Sequence, residues 1–153
     1  MMRPRGFTLI ELLVIIAVIA ILTAAALASL SAAKNNGKDG AVKGDLLTIQ
    51  EQAVQYYGIG DTYVPGAPQT ACGTMTFIGN DANTTIDDQI KTAYTALQKV
   101  AKGGTIVCRA ESSAFAIAGQ LNNPIGGKAY WCVDSVGNAL ATSSPTASEF
   151  VCQ

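Results

Sequence analysis

Two groups of side chains in this sequence stand out as able to do chemistry: one carboxylate inside an apolar run, and four cysteines. The carboxylate is Glu11, which follows Arg5-Gly6-Phe7-Thr8-Leu9-Ile10 and precedes residues 12–33, a stretch with no charged side chain. An acidic group in such a segment costs on the order of 3 kcal/mol on membrane-insertion scales unless something pairs with it. The run itself offers no Lys, Arg or His up to residue 33. A cationic partner must therefore come from the chain's own amino terminus or from another molecule. If the chain is cut after Gly6, Phe7 gains a new α-amino group, and Glu11 of one subunit can neutralise the amine of its neighbour. That chemistry is assembly, not catalysis.

The cysteines are Cys72, Cys108, Cys132 and Cys152, with no C-x-x-C spacing, and the chain contains no His. Metal ligation is disfavoured on both counts. In an exported domain four cysteines imply two disulfides that reinforce a small core, and three connectivities are open. Asp81, Asn83, Asp87 and Asp88 form a loose group of oxygen donors. They lack the glycine and terminal Glu of a calcium loop, so Asp87 and Asp88 read instead as a helix start. Asn83-Thr84-Thr85 is a formal glycosylation sequon.

The usual Ser-His-Asp and Cys-His arrangements are excluded without a His, and no phosphate-binding Walker loop is present. Gly58-Ile59-Gly60 lacks the third glycine of a dinucleotide fingerprint. Asp87 and Asp88 are adjacent and point apart on a helix, which rules them out as an acid-base pair. Tyr57, Tyr63, Tyr130 and Trp131 read as core or subunit contacts. The expectation is a protein that is not an enzyme and holds neither cofactor nor metal.

The elements that position these groups follow from periodicity. Residues 7–30 make a helix of about 36 Å, enough to cross a hydrocarbon core of roughly 30 Å. The segment is apolar on every side at first. From Thr23 onward it turns to small residues, which let helix backbones approach closely. At 153 residues the chain has room for this helix and one domain of roughly 100 residues. The formal charge is −1; removing Arg3 and Arg5 with the leader leaves 10 − 2 = 8 basic against 11 acidic side chains, or −3. That is no nucleic-acid footprint, and Lys34, Lys38 and Lys43 read as interfacial or solvated.

Gly37, Gly40 and Gly44 each cost a helix about 1 kcal/mol relative to Ala, which predicts a bend or a locally melted stretch. An amphipathic stripe then runs through Val42, Leu46, Ile49, Ala53 and Tyr56, and the glycines around Ile59 end the helix. An irregular connection from 58 to about 85 includes a possible short strand at 74–78. A second amphipathic helix is predicted over 87–102. Alternation then predicts strands at 106–108, 114–118 with Leu121, 129–133 and 139–142, with turns at 122–127 and 134–138. Residues 143–148 read as a polar loop, and Phe150-Val151-Cys152 as a segment that docks back through a disulfide. The fold class is α+β: a long N-terminal helix, membrane-spanning in its first half and amphipathic in its second, packed on a small antiparallel sheet.

At Arg5-Gly6-Phe7-Thr8-Leu9-Ile10-Glu11-Leu12-Leu13-Val14 the chain resembles the type IV prepilins and pseudopilins, whose class III signal is a short basic leader ending in Gly, then Phe-Thr-Leu-Ile-Glu and a long apolar helix. The resemblance covers about the first third of the chain. It implies cleavage by a prepilin peptidase between Gly6 and Phe7, N-methylation of Phe7, and Glu11 as the assembly carboxylate. It also implies a leader of residues 1–6, a filament-core helix at 7–33, its amphipathic continuation at 34–57 and a globular head at 58–153. The partners it implies are further copies of the chain, the peptidase and methyltransferase, the pilus assembly machinery and the inner membrane. The localisation it implies is the inner membrane for the precursor and the cell surface for the filament. A disulfide-bounded C-terminal region like that of many pilins favours Cys72 with Cys108 and Cys132 with Cys152; a nested pairing, Cys108 with Cys132 and Cys72 with Cys152, is the alternative. The function implied is a structural pilus subunit; the chain length and two disulfides suit a major pilin, with minor pilin or secretion pseudopilin as alternatives that share the same features. A Sec signal peptide cut near Ala26-Leu27-Ala28 would instead leave a secreted disulfide domain, but its apolar core is usually 7 to 15 residues and carries no Glu. An ordinary single-pass anchor leaves Glu11 unexplained.

Overall fold

The computed structural model of the chain describes residues 6–64, 67–70, 72, 84–143 and 150–152, side chains at 28, 84, 85 and 87 apart. The leader arginines, the possible strand at 74–78, Asp81, Asn83 and most of the 143–148 segment lie outside the described residues. The chain divides into two compact units, Met1–Asn35 and Asn36–Gln153. Helix α1 (Leu9–Gly60) contributes to both. Among the described residues it is the one helix long and apolar enough to cross a membrane. In the first unit its large apolar side chains, from Leu9 and Ile10 to Leu27 and Leu30, are exposed, as a surface meant for lipid or for other helices would be.

In the second unit α1 runs without a break through Gly37, Gly40 and Gly44, so the locally melted stretch that the glycines allowed as an alternative to a bend does not occur. The reason is a buried carboxylate. Asp39, 7% exposed, accepts hydrogen bonds from the backbone N–H of Asn122 (2.6 Å), the Asn122 amide (3.0 Å) and the backbone N–H of Asn123 (2.8 Å). These long-range bonds, with one from the Asn123 amide to Asn36 Oδ1 (2.8 Å), hold the glycine-rich turns helical. The helix continues past Gly58 and ends at Gly60, within the glycine-bearing stretch expected to end it; Asp61 follows at a φ of 53°, a left-handed conformation that Asp tolerates better than most residues.

The second helix, α2 (Thr84–Val100), starts three residues before Asp87 and gives way to a 3-10 turn at Lys102–Gly104. Four strands follow: β1 (Ile106–Ala110), β2 (Phe115–Ile125), β3 (Lys128–Asp134) and β4 (Ala139–Thr142), an antiparallel meander in the order β1-β2-β3-β4. Strand β2 continues through Asn122-Asn123-Pro124-Ile125, where a turn was expected. The reversal is confined to Gly126 and Gly127, at φ 58° and 80°, the two-residue hairpin that only positive-φ residues make well. Strand geometry persists to Ile125 because Asp39 anchors Asn122 and Asn123.

One face of the sheet, carrying Phe115, Ile117, Leu121 and Val133, packs against Val42, Leu46, Ile49 and Ala53 of α1 and Ile90, Ala93 and Leu97 of α2. The α1 contribution is the stripe read from the sequence, spaced 4, 3 and 4 residues apart. Gly119 faces side chains of both helices: a Cβ there would stand 3.1 Å from Leu97 Cδ1 and 3.1 Å from Val42 Cγ1. The opposite face carries a second, smaller cluster of Ala118, Cys132 and Cys152.

Candidate functional site

Gly6 and Phe7 lie in non-helical backbone just before α1, and both are exposed. A peptidase must draw its substrate bond into an extended conformation, and the Gly6–Phe7 bond, the cut expected from the sequence, lies outside the helix where no unwinding is needed. Thr8 is the N-cap: its carbonyl accepts from Leu12 N–H (3.4 Å), and its hydroxyl accepts from Glu11 N–H (3.3 Å). Glu11 reaches back in return, Oε2 accepting from the Thr8 N–H (2.9 Å) and hydroxyl (2.7 Å). This is a capping box, in which residues three apart satisfy each other's orphan helix-end groups. The pattern Thr8-Leu9-Ile10-Glu11 is visible in the sequence, yet reasoning from the apolar run alone passes over Thr8. Within one chain, then, Glu11 holds hydrogen bonds but no cation among the described residues. Both Glu11 and Phe7 remain open to another molecule.

The four cysteines form two disulfides, Cys72 with Cys108 and Cys132 with Cys152. Cys108 pairs in register with Ile117 and belongs to the helix-facing core, whereas Cys132 pairs with Ala118 and belongs to the outer cluster. The sheet thus separates the two bridges. Among the described residues no group of three or more His, Cys, Asp or Glu side chains could hold a metal ion.

The aromatic candidates are absorbed by packing. Tyr63 stacks with Tyr57 (centroids 4.7 Å apart) and meets Phe115 edge-on (4.8 Å) inside the core. Trp131 lies under the Lys43 ammonium, 4.6 Å from its ring centroid, so this lysine, expected to be interfacial or solvated, is half-exposed and also makes a packing contact. An open groove between α1 and α2 is lined by Asp45, Thr48, Asp88 and Thr92 among others, and burial pushes the Asp45 carboxyl above its ordinary value. It brings two carboxylates together with hydroxyls but no nucleophile and base in contact.

Two buried carboxylates escaped sequence reasoning. Asp39 could have been found by extending the α1 stripe one step back, since 39, 42, 46, 49 and 53 keep the 3-4 spacing. Asp134, fully buried, was read only as a turn residue.

A family model for the prokaryotic N-terminal methylation motif matches residues 1–27. No curated protein and no solved structure matches the chain. The match spans the basic leader, the Gly6–Phe7 junction, the Thr8–Glu11 box and most of the exposed apolar helix, so the features described above fall within one motif. That motif implies processing by a prepilin peptidase, and with the apolar helix it fits a membrane-anchored precursor. The chain therefore carries the N-terminal methylation motif, the class III prepilin signal that type IV pilins and pseudopilins bear.

Proposed function

We propose that this chain is the major structural subunit of a type IV pilus: inserted in the inner membrane, cut between Gly6 and Phe7, methylated on Phe7, and polymerised through its N-terminal helix into a filament at the cell surface. The observation that carries the reading is Glu11, a carboxylate on an exposed apolar helix whose side chain is bonded, among the described residues, only to Thr8. Left without a cation in a bilayer, it costs on the order of 3 kcal/mol. Pairing with the Phe7 amine of a neighbour removes that cost and fixes the stagger between copies. Head-to-tail contacts of this kind do not close, so they generate a fibre. Hydrophobic contact between helices holds the fibre, and each helix exchanges lipid neighbours for protein ones. Residues 34–153 form the outward part of the subunit, stapled by the two disulfides. The prepilin peptidase, the methyltransferase and the assembly machinery are its partners.

The test is intact mass and N-terminal sequencing of the mature protein, together with the filament yield of Glu11→Ala. The reading requires a start at methylated Phe7, and a Glu11→Ala chain that is processed but not assembled. A start near Ser29 would make it a secreted domain, and wild-type filament yield from Glu11→Ala would remove Glu11 from assembly. Abundance of the subunit in sheared filaments separates a major pilin from a minor one.

A further inference from the structure

We infer that the outer face of the sheet holds a preformed cradle for the C-terminal segment, built on Asp134, and that this cradle decides which cysteines pair. Arg109, Ala116 and Asp134 are register partners across β1, β2 and β3, so their side chains share one row on the face away from the helices. The segment 150–152 lies on that row. Phe150 is under the Arg109 guanidinium, 4.8 Å from the ring centroid, and the Cys152 N–H donates to Asp134 Oδ2 at 2.8 Å.

Asp134 needs no disulfide to be in place. Its Oδ1 accepts from the N–H groups of Val136 (3.1 Å) and Asn138 (2.9 Å), and Oδ2 from the Asn138 amide (2.9 Å), all within the β3–β4 turn. Gln50 of α1 braces the same turn by donating to the carbonyls of Asp134 (2.7 Å) and Asn138 (3.1 Å). Once the turn forms, one acceptor position on Oδ2 remains, and seating the 150–152 segment completes the burial of Asp134, so a bond left unmade there would be costly. The Cys152 N–H fills it. Because strand side chains alternate, Cys132 is on the same face as Asp134, two residues away. Seating Cys152 on Asp134 therefore brings it to Cys132, at a Cα separation of 5.7 Å. Cys108 is on the other face and out of reach of this pair. The carboxylate thus selects one of three connectivities before any sulfur is oxidised.

With glutathione disulfide as oxidant, the thiolate of one of the two cysteines attacks it and releases one glutathione thiolate. The second protein thiolate then displaces the other glutathione from the mixed disulfide. Two protein thiols lose two protons, and one glutathione disulfide becomes two glutathiones.

The experiment is oxidative refolding of the full chain in detergent micelles, denatured and reduced, then diluted into glutathione buffer and mapped by non-reducing peptide analysis. The wild type should return Cys132 with Cys152 as the dominant pair. Asp134→Asn, which replaces Oδ2 by an NH2 donor, should drop that pair several-fold, toward the roughly one third expected of random pairing among four cysteines. Native pairing at wild-type yield in Asp134→Asn would overturn the inference. The second measurement does not depend on that variant folding: in Cys132→Ser/Cys152→Ser, amide exchange at position 152 should remain at least about tenfold slower than in the denatured chain. An unprotected amide there would show that the disulfide, not the carboxylate, holds the segment, and would equally overturn it.

Discussion

Asp39→Ala tests whether one carboxylate keeps α1 helical through its glycines. Gly37, Gly40 and Gly44 together make this part of the helix about 3 kcal/mol poorer than an alanine version. Against that, the Asp39 carboxylate accepts three hydrogen bonds from Asn122 and Asn123, two of them from backbone N–H groups. Bonds to a charged acceptor contribute about 1.5–3 kcal/mol each, and the half-buried setting of both asparagines takes the low end, so the three together contribute about 4.5 kcal/mol. That exceeds the glycine cost by only about 1.5 kcal/mol, which is why removal of Asp39 should open the helix locally. Amide hydrogen exchange on the detergent-solubilised chain reads this directly: protection over residues 36–44 should fall about 1,000-fold, since each 1.4 kcal/mol is a factor of ten. Adding Gly37→Ala, Gly40→Ala and Gly44→Ala to Asp39→Ala should restore most of it, because a Cβ at each position meets nothing within 4 Å. Unchanged protection in Asp39→Ala, or no recovery with the alanines, would refute the reasoning.

Gly119→Ala gains backbone rigidity but places its methyl 3.1 Å from both Leu97 and Val42, so chemical denaturation should show a net loss of about 1 kcal/mol, and Gly119→Val a loss of 2 or more. Raising the pH from below 3.8 should cost stability through Asp45, because its carboxyl pKa is higher in the fold than in the unfolded chain; the folded state binds the extra proton, and its contribution is full below the unfolded value and lost as pH rises through the folded one. Asp45→Asn should flatten that part of the stability profile. Removing Cys72–Cys108, which spans 36 residues, should cost about 3.8 kcal/mol on the chain-entropy model, and removing Cys132–Cys152, which spans 20, about 3.3, a difference of about 0.5. Equal losses in thermal or denaturant unfolding would show that loop length is not the controlling term.

Periodicity was enough for the core stripe of α1, because Val42, Leu46, Ile49 and Ala53 repeat with the helix and bury one face wherever they are covered. The strands were legible for the same reason, apart from the far half of β2. There Asn122 and Asn123 look like turn residues, and only Asp39, more than 80 residues earlier, makes them strand. Local propensity cannot register such a partner. The same blind spot explains the glycines of α1 and the packing contact of Lys43, which is made only when Trp131 is brought beneath it. Of the candidate site, the Gly6–Phe7 junction and Glu11 could be named from the sequence because the motif that proposes their roles lies in adjacent residues. Thr8 could equally have been read from its spacing to Glu11.

What the sequence alone determined is what short-range order can encode: a processing signal, a bilayer-length apolar helix with a single acid, an amphipathic continuation, and an α+β head with an even set of cysteines. What the tertiary structure decided is everything that depends on which distant groups meet. Two buried aspartates, Asp39 and Asp134, carry most of that information, one keeping the helix intact and the other receiving the C-terminus. The physical reason is that a buried carboxylate must find donors, and the donors it finds are set by the closing of the chain, not by its neighbours along it.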